Sequence, residues 1–280
     1  MKIIKREKSN DGITIKFLQE TEDGYVIETT YVNYRNKHII CYSTQVGCAI
    51  GCIMCYNGVN PSFKRSLNKD ELILQCKNVY DEIEQDGKKV LFSAMGIGEP
   101  LLNYENVVNA INYMNNFYKG SKFALSTTGI KPKLILQLEE DLSEVRDFKL
   151  MISIHTVNNE KRAKLIKVNE KIGDILKFAR KYSRKIEYNY VPMKGLNDSK
   201  EDILELVQVF EKMQKNEKIK INQYNIVEGS SVEKSENLSK IIEILEKASF
   251  EVEYYETDGI DINAACGQMR GVFSKKVVTY

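Results

Sequence analysis

The chain has 280 residues, 42% of them hydrophobic and 29% charged, and a formal net charge of +2. That is apolar material enough for one large domain, and the charge is too even for composition alone to demand nucleic acid. No stretch approaches the roughly 20 apolar residues of a membrane span, and the opening MKIIKREKSNDG has no apolar core of the secretory kind, so a cytoplasmic protein away from membranes is expected.

In chain order, ITIKFL (13–18) and GYVIETTYV (24–32) read as strands, with Asp-Gly pairs at 11–12 and 23–24 as turns. HIICYS (38–43) is a third apolar run. A helix is expected from Asn68 to about Gln85, capped by Asn68 with Glu71 at the capping-box position, and with Leu72, Cys76, Val79, Tyr80 and Ile83 on one face. Strands and helices then alternate. VLFSAM (90–95), KFALSTT (122–128), KLMISIH (149–155), IEYNYV (186–191), KIKINQY (218–224) and FEVEYYE (250–256) read as strands. Residues 103–117, 159–168, 172–184, 200–214 and 235–249 read as helices. Such alternation implies a parallel sheet or barrel, and about six units fall short of the eight that close one. The expectation is an α/β fold, a partial (β/α)6 TIM-type barrel over residues 38–280, preceded by a small N-terminal β extension over 1–37.

Six cysteines occur, at 41, 48, 52, 55, 76 and 266, against only two histidines, His38 and His155. Four of the six fall between 41 and 55. In a chain of this kind, such clustering points to metal or redox chemistry before disulfides. GCAIGCIMCYNG (47–58) carries Cys48, Cys52 and Cys55 at the spacing C-x3-C-x2-C, directly after a predicted strand. Three thiolates can ligate three irons of a [4Fe-4S] cube and leave the fourth open to chelate a small molecule such as the methionine end of S-adenosylmethionine (SAM). A structural zinc site, with Cys41 as fourth ligand, is the rival reading.

The flanking residues carry a resemblance. CYSTQVGCAIGCIMC (41–55), MGIGEPLLN (95–103), LSTTG (125–129), SIH (153–155), NDS (197–199) and DINAACGQM (261–269) together resemble the radical SAM RNA methyltransferases, in order from about Asp11 to Gln268. That family methylates carbon 2 of an adenine in 23S rRNA, in some members also in tRNA, and a sister branch methylates carbon 8. The resemblance implies a radical SAM barrel, a [4Fe-4S] cluster on Cys48, Cys52 and Cys55, and SAM. Gly98 and Glu99 resemble the pair that meets the SAM amino group. Ser126, Ser153, Ile154 and His155 resemble further SAM contacts, and Asn225 the residue reaching its ribose or adenine. Cys266 resembles the cysteine that becomes S-methylated, Cys41 its resolving partner in a disulfide, and Glu28, thirteen residues before Cys41, the proton acceptor. The implied partners are an RNA substrate and an electron donor such as flavodoxin or ferredoxin, and the protein is expected to be a monomer.

The implied route uses one SAM to methylate Cys266 and a second, cleaved reductively, to generate a radical on that methyl, which adds to the adenine. Glu28 takes the ring proton, and Cys41 releases the product by thiol–disulfide exchange. The chain departs from the family pattern in reading NYV at 189–191 where EYV is usual, and, with only about 27 residues before Glu28, the helical accessory domain of the family is expected to be absent. A different RNA, a peptide or a small molecule therefore stands as an alternative substrate. Each residue also has a plainer reading. Glu28 could be a solvated strand glutamate, Cys41 and Cys76 core cysteines, His155 a satisfied structural histidine, and the MGIGEP glycines a mere turn. Basic residues cluster at Lys161, Arg162, Lys164 and Lys167, and at Lys177, Arg180, Lys181, Arg184 and Lys185; they could meet phosphates or simply be solvated helix faces.

Overall fold

β1 (Lys2–Lys8), β2 (Thr14–Glu20) and β3 (Val26–Tyr34) form an antiparallel meander. The Asp23-Gly24 turn closes its second hairpin, with Thr21 N bonded to Tyr25 O at 2.8 Å. β1 is an element the sequence did not announce: KIIKREK lies at the sheet edge, half exposed, so its pattern carries no buried face. The structure is a computed structural model and describes residues 1–84, 86–211, 217–255, 259–262 and 268–269, with Ile260 described by its backbone only.

β4 (Lys37–Tyr42) turns the sheet from antiparallel to parallel, pairing one way with β3 and the other with β7 (Lys89–Ala94). Between them lie β5 (Gln45–Val46), the cysteine loop, α1 (Tyr56–Val59), β6 (Arg65–Ser66) and α2 (Lys69–Tyr80). The capping box of Asn68 and Glu71 starts α2 as the sequence indicates. β7 (Lys89–Ala94), α3 (Tyr104–Phe117), β8 (Lys122–Thr127), α4 (Leu134–Asp141), β9 (Phe148–Ser153), α5 (Asn159–Ile166), α6 (Ile172–Ala179), β10 (Ile186–Tyr190), α7 (Lys200–Phe210), β11 (Glu217–Asn222), α8 (Leu238–Lys247) and β12 (Val252–Tyr255) complete the order. β4 and β7 through β12 lie side by side in chain order, each parallel to the next, within one ten-stranded sheet. This is the expected open α/β barrel.

The sheet curls far enough that its distant strands meet by side chains. Tyr34 Oη on β3 donates to Tyr255 Oη on β12 at 3.0 Å, and Asn10 N donates to Asp261 Oδ2 at 2.8 Å. Side chains alternate across each strand. Leu150, Ile152 and Ile154 enter the main core with residues of α3, α4 and α6, whereas Ser153 faces the barrel interior. A second, smaller core of Ile50, Leu165, Ile166, Val168, Met193, Tyr224 and Val232 packs beside the cysteine loop. Among the described residues no helix is long and apolar enough to cross a membrane.

Candidate active site at the strand ends

The cysteine loop runs from the end of β5 into α1, with Cys55 as the residue before the first helical turn. Gly58 fixes its closure. A Cβ there would sit 2.0 Å from Cys52 O, so only glycine lets the turn fold back on the loop. Ile53 N donates to Leu165 O at 3.0 Å, and the Cys52 thiol lies 3.8 Å from Ile166 O, so the end of α5 also braces the loop. The thiols of Cys48, Cys52 and Cys55 are near enough for the charge on one to act on another. Burial pushes Cys48 up to about 11 and Cys52 well above the usual thiol range. Thiolates in such a place need a cationic partner of high charge, which an iron–sulfur cluster supplies. Among the described residues no three His, Cys, Asp or Glu side chains converge as around one metal ion. A cube binds each thiolate through a different iron and asks only that the three face a common space. The donor set fits a cluster.

Cys41, the fourth ligand that a zinc site would need, is carried by a strand and not by the cysteine loop. It lies on β4 opposite Thr30. Burial pushes its thiol up to about 11, Lys16 pulls it back, and Glu28 opposes Lys16. Glu28 also acts on Cys55. Glu28 is thus within electrostatic reach of both Cys41 and Cys55. Glu28 is 3% exposed and forms an ion pair with Lys16 at 2.9 Å, so the solvated reading of this glutamate is wrong. Cys266 lies outside the described residues. The five described cysteines are free thiols; the expected Cys41–Cys266 disulfide thus gains no support. Cys76 is fully buried on α2, as a core residue should be.

β7 ends in the MGIGEP turn. Gly98 adopts φ +116°, and a Cβ there would meet Thr44 Oγ1 at 2.6 Å, so this turn is glycine's alone. Glu99 is buried. Its carboxylate accepts from Thr127 Oγ1 (2.5 Å), Thr128 N (2.8 Å), Thr128 Oγ1 (2.9 Å) and Leu101 N (3.0 Å). Burial raises its carboxyl above the ordinary range while these donors pull the other way. Four donors occupy the acceptor sites of a carboxylate, which leaves Glu99 its charge rather than an open lone pair to offer an ammonium. The LSTTG motif is the clasp around that carboxylate.

A cavity of about 300 Å³ opens beside the loop, lined in part by Cys55, Met95, Ser126, Ser153, His155, Asn189, Tyr224 and Asn225. Four of the expected SAM contacts, Ser126, Ser153, His155 and Asn225, are thus brought to one wall. Ile154 is not: its side chain is in the core, its N–H donates to Asn189 O (3.0 Å) and its carbonyl accepts from Arg162 (2.7 Å). His155 has φ +53° and accepts at Nδ1 from Val191 N at 3.2 Å, which puts the imidazole proton on Nε2. Burial, and secondly Arg162, pushes it down to about 3, so the ring is neutral. Asn197 of the NDS motif donates to His155 O (2.5 Å) and Val191 O (2.9 Å), tying the two strand ends together.

Sequence reading missed three residues here. Asn189 and Tyr224 line the cavity, and their Oδ1 and Oη are buried without a hydrogen-bond partner, where buried polar atoms are normally satisfied. Arg162, grouped by sequence with possible phosphate contacts, is 1% exposed and donates to Ser153 O (2.9 Å), Ile154 O (2.7 Å) and Thr128 O. It is a strut joining β8 and β9, not a surface cation. Lys161 is likewise engaged, with Asp202 at 2.6 Å. A larger hollow of about 510 Å³ between α3 and α4, lined by Tyr104, Asn112, Lys131 and Asp141 among others, includes none of the expected site residues.

Comparison with known proteins bears on the family and the fold. The Radical SAM superfamily profile matches residues 42–207. A probable dual-specificity RNA methyltransferase RlmN of Dictyoglomus thermophilum is 36% identical over 95% of this chain and 78% of its own length. Its namesake in Thermotoga maritima is 34% identical over 96% and 79%. A radical SAM methyltransferase from Sphaerobacter thermophilus superposes with a TM-score of 0.86 at 26% identity, covering 95% of this chain and 80% of that one. Streptococcus suis SuiB bound to S-adenosylmethionine shares the fold, with a TM-score of 0.57 at 18% identity over 76% and 48%. The chain belongs to the radical SAM superfamily, whose enzymes work with a [4Fe-4S] cluster and S-adenosylmethionine, and within it to the RlmN family.

Proposed function

We propose that the protein methylates an sp2 ring carbon of an adenine in RNA, ribosomal and in some cases transfer RNA, through a methylated cysteine. The observation that carries this is a buried Glu28 within electrostatic reach of both Cys41 and the cluster-loop Cys55. A radical SAM enzyme that only generated a radical would have no use for a second thiol and a carboxylate there.

Cys48, Cys52 and Cys55 hold the cluster. Gly98, Glu99, Ser126, Ser153, His155 and Asn225 form the SAM site, with Ile154 contributing through the strand it anchors. When bound, these groups supply a carbon-centred radical able to take hydrogen from a methyl group. Cys266 attacks a SAM methyl through its thiolate and carries that methyl to the adenine. Glu28 accepts the ring proton. Cys41 then attacks the Cys266 sulfur as a disulfide forms: the carbon–sulfur bond breaks, its carbon takes up a proton to complete the methyl group, and the one surplus electron of the radical adduct would return to the bound redox group as the product leaves. The strands before residue 38 supply the proton acceptor and those after it the cluster loop. The protein works in the cytoplasm as a monomer, reduced by a donor of the flavodoxin or ferredoxin kind.

The test uses anaerobically reconstituted protein, unmodified RNA and SAM deuterated at its methyl group. Digested RNA should contain a methyladenosine carrying deuterium, with carbon 2 or carbon 8 identified by chromatography, and Cys266→Ala should yield none. RNA left unmethylated by the intact protein, or methylated by Cys266→Ala, overturns the reading.

A further inference from the structure

Lys16 is 1% exposed and its ammonium lies 2.9 Å from Glu28 Oε2. Lysine is almost never so buried unless paired, and withdrawing both ions from water carries a large dehydration cost. Apolar residues of similar volume would fill that space without the cost. The strands do not need the pair to associate, because β2 and β3 share seven residue pairings. What distinguishes the pair is its place. Thr30 stands opposite Lys16 in one ladder and opposite Cys41 in the next, so lysine, glutamate and thiol share the interior face.

We propose that Lys16 is a positioning residue for proton removal: its ammonium grips one oxygen of Glu28 and so fixes the direction of the other. The proposal rests on Glu28 as proton acceptor. In that step the C–H bond breaks, its electron pair stays in the ring, and the proton passes to the carboxylate. The ion pair becomes an ammonium beside a neutral acid. A misdirected carboxylate leaves radical generation intact and stalls the later loss of the ring proton.

The experiment compares Lys16→Met, Lys16→Arg and Glu28→Gln with the unaltered holoenzyme, on RNA and SAM, measuring 5′-deoxyadenosine and methyladenosine in the same reaction. Lys16→Met should lower methyladenosine by about 100-fold, the usual scale of a misplaced catalytic group, while 5′-deoxyadenosine still forms, so their ratio rises by a similar factor. Lys16→Arg, which keeps the cation, should recover most of the coupling. A merely structural lysine would lower both products together and leave the ratio unmoved. That result, or a Lys16→Met ratio equal to that of the unaltered enzyme, overturns the proposal. Should Lys16→Met not fold, Lys16→Gln, which keeps a donor in the same space, reads the same ratio. If Glu28→Gln methylates fully, the proton-acceptor reading itself fails. If Glu28→Gln is inactive and Lys16→Met is coupled, only the role of the lysine fails.

Discussion

Replacing Arg162 with Met tests whether the strand ends are held from below by a buried cation. The guanidinium donates to three main-chain carbonyls, of Thr128, Ser153 and Ile154. A hydrogen bond from a charged group contributes about 1.5–3 kcal/mol, so three sum to about 4.5–9. Part is returned, because Met does not have to be dehydrated as a guanidinium does; burial already draws the Arg162 group down to about 10. Removing one partner from a buried charged network typically costs about 3–5 kcal/mol net. In a domain of this size that lowers the thermal midpoint by about 10 °C. Because Ser153 lines the cavity and Ile154 precedes His155, SAM affinity measured by equilibrium dialysis should fall in step. A midpoint within about 2 °C of the parent, with unaltered SAM binding, would refute the strut.

The geometry fixes three further outcomes. Gly58→Ala drives a Cβ to 2.0 Å from Cys52 O; overpacking of this kind costs about 1–3 kcal/mol, and iron per chain after reconstitution should fall to less than half. His155 titrates near 6.5 when unfolded and near 3 in the fold, so between those values the unfolded chain binds the extra proton. Its contribution is full above about pH 6.5 and declines by about 1.4 kcal/mol per unit as pH falls toward 3; urea titrations of His155→Gln should show a slope shallower by about that amount. Glu99→Gln keeps the shape but loses the charge and turns an NH2 donor toward the donors of Thr127, Thr128 or Leu101, so the clasp loosens and SAM binding should weaken by about tenfold or more, the scale of losing one charge-assisted hydrogen bond within it; unchanged affinity would mean that neither the charge nor the clasp bears on SAM.

Much of this was legible because it is local. The C-x3-C-x2-C loop and the capping box that starts α2 are written within a few residues each, and the alternation of strand and helix gave the open parallel barrel. The features that escaped depend on the other strand. Lys16 in ITIKFL reads as an ordinary exposed lysine until β3 places Glu28 beside it. Arg162 lies in a basic stretch of helix and looks solvated until β8 and β9 present their carbonyls to it. α4 was missed because LILQLEED is short and comes after KPK, with no side-chain cap to mark its start. Ile154 was placed with the SAM contacts by its motif, yet strand alternation sends its side chain to the helix side.

The chemistry of the site depends on which cysteines hold the cluster. Single alanine variants at 41, 48, 52 and 55, reconstituted anaerobically beside the unaltered chain, decide it. The unaltered protein and Cys41→Ala should each carry about four irons, absorb near 400 nm and cleave SAM under reducing conditions, while the other three variants should lose all of these. A colourless protein holding one zinc, released by Cys41→Ala, would contradict the account.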